Sequence, residues 1–78
     1  MKHLNIRLDQ SYKETNTLDV LYDFLKNNKG KHSVILHLIS KQGRDQKIIL
    51  KKYLVDITHN CLLELRERFG SKNVWLSL

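Results

Sequence analysis

Four histidines, one cysteine and eight acidic side chains are the groups in this 78-residue chain that could bind a metal or move a proton. His32 and His37 are an odd number of residues apart, so on one strand they project to opposite faces. Together with His3 and His59 they form no zinc-like spacing, which would need four converging ligands. Cys61 falls on the buried face of a predicted helix, where a thiolate is disfavoured and a small apolar residue fits. A single cysteine excludes an internal disulfide and suits a reducing compartment. Glu64 and Glu67, interleaved with Arg66 and Arg68, read as a solvated helix surface. Gly30-Lys31 lacks the GxxxxGK spacing of a phosphate loop. No nucleophile–base pair, metal set or cofactor loop emerges, and the chain reads as non-enzymatic, with no cofactor.

The lysines have more order than the acids. The net charge is +6 and the isoelectric point is near 9.7, a balance that favours an acidic partner or nucleic acid. Lys26, Lys29 and Lys31 cluster at the end of the first predicted helix. Pairing across a hairpin sets Lys51 and Lys52 opposite Ser33 and Val34, so the five lysines share one edge. Without interleaved aromatics they imply weak, sequence-independent attraction to phosphates.

The elements that position these residues follow from apolar periodicity. Leu4, Ile6 and Leu8 alternate with Asn5 and Arg7, which is a strand buried on one side. Asp9 to Thr17 is polar and reads as a loop. Asn16 or Thr17 can cap the next helix, and Asp19 suits its first turn. Leu18, Leu21, Tyr22 and Leu25 make the apolar stripe, with Phe24 at its flank. Gly30 is the expected left-handed stop. Ser33 to Ser40 reads as a strand, Lys41 to Arg44 and Asp45 as a turn around Gly43, and Lys47 to Leu50 as the return strand. Strict alternation would bury Lys52, so a bulge at Lys51-Lys52 is expected to turn Tyr53, Val55 and Ile57 inward. Thr58 caps a second helix, Cys61, Leu62, Leu65 and Phe69 share its inner face, and Gly70 ends it. Val74 to Leu78 closes the chain as a strand.

The resulting order, β-α-β-β-α-β, predicts an α+β, ferredoxin-like (split-βαβ) sandwich: a four-stranded, mostly antiparallel sheet with two helices on one face. Residues 1–78 read as one small domain. No apolar run approaches a membrane span and no signal-peptide pattern appears, so a cytoplasmic location is expected. With the helices on one side, the other sheet face should display Arg7, Ile35, His37, Ile39, Ile49 and Trp75. A contiguous apolar patch of this kind marks a docking site, with Trp75 as its anchor. Leu63, off the stripe of the second helix, is a smaller rival. The RNA-recognition fold shares the element order, but its base-stacking strand should carry aromatics, and Lys47-Ile48-Ile49-Leu50-Lys51 has none.

The run Leu4-x-Ile6-x-Leu8, the Leu21 and Leu25 pair leading to Gly30, Lys31 and Val34 to Leu38, and then Ile48-x-Leu50 and Tyr53-x-Val55 form one pattern. With Thr58, Leu62-Leu63-x-Leu65, Phe69-Gly70 and Val74, it resembles the C-terminal domain of the bacterial DNA polymerase III alpha subunit. Ser33 stands where that family often has a proline. The resemblance implies an interaction module in DNA replication, with the clamp-loader tau subunit or adjacent polymerase domains as partner and no catalytic role. The alternative is a small basic RNA- or DNA-binding domain. A small-molecule regulatory domain would need a glycine loop near residues 9 to 16, and no glycine is there.

Overall fold

Apolar residues at alternate positions and at helical spacing produce four strands and two helices in the computed structural model, which describes residues 2–78. The elements are β1 (His3–Asp9), α1 (Thr17–Asn27), β2 (Lys29–Ile39), β3 (Asp45–Val55), α2 (His59–Phe69) and β4 (Val74–Ser77), with short 3-10 turns at Gln10–Glu14 and Ser71–Asn73. The sheet order is β3-β2-β1-β4; β1 and β2 are parallel and the other two pairs antiparallel. This is the expected α+β sandwich. Its connectivity adds one detail: α1 joins neighbouring strands, whereas α2 carries the chain from one edge strand to the other. Among the described residues no helix is long and apolar enough to cross a membrane.

The core lies between the helices and one sheet face. Leu4, Ile6 and Leu8 of β1, Val34 and Leu36 of β2, Val55 of β3 and Val74 of β4 are buried in a single cluster with Leu21, Phe24 and Leu25 of α1 and Leu65 of α2. Phe24, expected at the flank of its helix, is 6% exposed and belongs to the core. Phe69, Cys61 and Leu62 pack around Leu65 as partly buried neighbours. The Thr58 hydroxyl accepts from the Cys61 N–H at 3.2 Å, and Gly70 takes a φ of 94°, so both ends of α2 are as the sequence implies.

The expected kink in β3 is a three-residue bulge. Ser33 pairs with Leu54 and Val34 with Leu50, so Lys51, Lys52 and Tyr53 have no opposing residues, which corrects the expected pairing of Lys51 and Lys52 with Ser33 and Val34. An odd insertion reverses the side-chain phase. Ile48 and Leu50 point inward before it; Tyr53 and Val55 point inward after it; both lysines stay exposed. Tyr53 stacks on Tyr22 of α1, with ring centroids 5.3 Å apart.

Three local expectations are corrected. The segment Asp9 to Thr17 is not all loop: the Asp9 carboxylate accepts from the Ser11 N–H at 2.8 Å and starts a 3-10 turn. The hydrogen bonds from the Ser11 hydroxyl and then the Ser11 amide hold the Asp9 carboxyl below its ordinary value of 3.8. Asn16 precedes α1 without a side-chain capping bond, and Thr15 Oγ1 accepts from the Thr17 N–H instead, at 3.4 Å. Gly30 is not a left-handed helix stop. The helix ends at Asn27, β2 has begun by Lys29, and among the described residues only Gly43 and Gly70 have positive φ. A Cβ on Gly30 would lie 2.4 Å from the backbone N of Asp56, so glycine is needed there for the close approach of β2 to the end of β3.

Candidate functional site

Alternation along the strands leaves one sheet face without helices. Cα register sets out its side chains in rows. Leu54, Ser33, His3 and Ser77 form the first row; Ile49, Ile35, Asn5 and Trp75 the second. Lys47, His37 and Arg7 form the third; Asp45, Ile39 and Asp9 the fourth. All six residues expected on this face are therefore on it. They are not equally accessible. Ile49 is 58% exposed, while Ile35, Ile39 and Trp75 are only partly exposed.

His37 is a correction, because it is 6% exposed rather than displayed. Trp75 starts opposite Asn5 on β4, yet its ring centroid lies 4.8 Å from that of His37 on β2. The indole therefore crosses β1 and roofs the space between them, which is why Asn5 is only 3% exposed. Arg7 sits beside the roof, its guanidinium carbon 5.9 Å from the indole centroid. Its Nε donates to Asn73 Oδ1 and another guanidinium N–H to the Lys72 carbonyl, each at 3.1 Å.

Beneath the indole the polar groups are paired. Asn5 Nδ2 donates to Ser77 Oγ at 2.8 Å and lies within 3.3–3.4 Å of the carbonyls of His3 and Trp75. That orients Asn5 Oδ1 toward His37 Nε2, 2.8 Å away. An amide oxygen only accepts, so Nε2 donates. His37 Nδ1 faces Asp45 Oδ2 at 3.4 Å. An Asp–His pair can serve as a general base, but the nitrogen that would take the proton is the one held by Asn5, inside a roofed pocket. No buried side-chain polar atom is left without a partner among the described residues.

The apolar patch expected from Ile49 through to Trp75 is consequently not contiguous. The Asn5–His37 pair splits it, leaving an apolar ribbon on the β2–β3 side. Leu54 extends that ribbon and is 47% exposed. Sequence reasoning missed Leu54, Asn5 and Ser77. The bulge that turns Tyr53 and Val55 inward turns Leu54 outward, so Leu54 was readable; the other two depend on β4 lying beside β1. Leu63, the rival on α2, is 46% exposed and stands alone on its helix surface.

The five lysines converge at the far end of the β2–β3 pair. Val55 faces both Lys29 and His32, so Gly30 and Lys31 form a second bulge there, beside Lys51 and Lys52 and the last turn of α1 with Lys26. All five are exposed, and none is in an ion pair among the described residues. Aromatics are near after all, since Tyr22 and Tyr53 adjoin Lys26 and Lys52, but the two rings stack on each other and pack on the core. Among the described residues no three His, Cys, Asp or Glu side chains converge as a metal site. The chain matches no known family model and no curated protein sequence.

Proposed function

We propose that this chain is a non-enzymatic protein-interaction module that docks its partner on the open sheet face. The observation that carries this reading is the ribbon of Ile35, Ile49 and Leu54, with Ile39 beyond the Lys47–His37 row, on the sheet face opposite the helix-packed core. The pairing of His37 Nε2 with the Asn5 amide oxygen, beneath the indole, favours binding over catalysis. Trp75 flanks the ribbon as a roof over the Asn5–His37 pair, and its outer side is the contact it offers a partner. The resemblance to the polymerase alpha tail makes a replisome subunit of the clamp-loader tau type the first partner to test, acting in the cytoplasm.

The test is affinity capture followed by mapping. Ile35→Glu and Trp75→Ala should weaken capture of the partner at both low and high salt, after circular dichroism has shown that each variant folds. If both bind as the parent does while Leu63→Glu does not, the docking site is α2. The second reading, a small basic nucleic-acid-binding domain, is favoured by the unpaired lysines at the bulged end. It requires an affinity that falls with salt, with a log–log slope of about −0.7 to −0.9 per phosphate contact.

A further inference from the structure

The two sheet edges differ in a way that selects a partner. The β4 edge is Val74-Trp75-Leu76-Ser77, four residues without a charge. The β3 edge is an eleven-residue strand that, among the described residues, pairs with β2 alone, so its outward N–H and C=O groups have no strand partner there. From Lys41 to Lys52 the hairpin carries five basic residues, Lys41, Arg44, Lys47, Lys51 and Lys52, against one acid, Asp45. All five are exposed and none is in an ion pair among the described residues, whereas the one acid faces His37. The same edge borders the apolar ribbon through Ile49 and Leu54.

From this we infer that the partner presents an acidic, extended segment that adds to β3 as a fifth strand along Asp45–Leu50. The inference rests on the protein-interaction reading and names the chemistry of the partner. A strand laid on this edge pairs its backbone with the unused groups of β3 over about 20 Å, at about 3.4 Å per residue. Alternate side chains of the added strand fall on the open face beside Lys47 and Ile49, where Lys47 favours carboxylates, and the intervening ones fall on the helix side beside Ile48 and Leu50, where apolar residues are favoured. Carboxylates along it meet Lys47, Lys51 and Lys52. The lysines also decide against a second copy of this chain, because edge-to-edge pairing would bring the same cations together. The bulge at Lys51 to Tyr53 limits the usable edge to its regular half.

The probe is a capped peptide of alternating glutamate and valine, about ten residues long to match a strand, added to the isotope-labelled full chain. The expected result is slowed hydrogen exchange at alternate amides between Asp45 and Leu50. A lysine–valine peptide should have no effect, and Lys47→Glu with Lys51→Glu should weaken binding about tenfold or more. Four outcomes overturn the inference: no binding of the acidic peptide, binding without protection of β3 amides, tighter binding of an oligothymidylate at physiological salt, or a dimer of this chain joined through β3. If Ile35→Glu still abolishes capture of the cellular partner while β3 amides stay unprotected in that complex, the docking face stands and the added strand fails. If neither changes, both readings fail.

Discussion

The two halves of the open sheet face carry residues of similar size but are built differently. On the β4–β1 side, Trp75 covers Asn5 and His37, and each polar group has a partner inside the fold. On the β2–β3 side, Ile49 and Leu54 are exposed, Ile35 is partly exposed, and among the described residues the neighbouring lysines have no ion-pair partner. The first half has spent its contacts on holding β4 beside β1. That is a short strand of four residues, which an amide network and a roofing indole can hold in register. The second half is held by a long hairpin and is left with surface to offer. Under the proposed docking, a polar cluster and an apolar ribbon on one face thus separate structural from binding duties.

Substitutions can break or sharpen this division, and the helix-covered core sets the scale. Leu65→Ala should cost about 2–5 kcal/mol, since Leu65 is 1% exposed in the central cluster. In a domain this small that is a large share of the total stability, and the urea midpoint should fall far below that of the parent. An unchanged urea midpoint would mean that the helix face is misassigned. Next comes the closed half. Asn5→Ala leaves His37 Nε2 and the Ser77 hydroxyl without their partner and should cost about 1–3 kcal/mol, with little change in docking measured at saturating folded protein.

Ile49→Thr and Leu54→Thr probe the open half. Each should shift stability by only about 0.5 kcal/mol while weakening partner capture, because solvent-facing side chains contribute little to folding. A loss as large as that of Asn5→Ala would erase the distinction between the halves. The smallest effect lies outside both. The Asp9 carboxyl is depressed by its Ser11 hydrogen bonds, so its stabilising contribution is present above the ordinary carboxyl value of 3.8 and is lost as pH falls through the lower folded value. An NMR titration should show Asp9 ionising below that value, and Ser11→Ala should return it toward the ordinary range.

Much of the fold was legible because local and global signals agree. Thr58 and Gly70 bracket α2 correctly, and the conflict between Lys52 and strict alternation marks the β3 bulge in the sequence itself. Gly30 misleads because Asn27-Asn28-Lys29-Gly30 looks like a helix stop, while its real constraint is a tertiary approach to Asp56. His37 and Asn5 read as solvent-facing because alternation assigns a face, not an exposure. Their burial follows from Trp75 reaching over β1 from a strand about seventy residues later in the chain, a long-range pairing that local periodicity does not encode.

Methyl NMR of the folded chain bound to its captured partner is the most direct measurement of where docking occurs. The methyl groups of Ile35, Ile39, Ile49 and Leu54 should shift or broaden on binding, while those of Leu63 and of the core residues Leu21 and Leu36 stay near their free positions. Perturbation centred on Leu63, with the ribbon methyls unchanged, would contradict docking on the open sheet face.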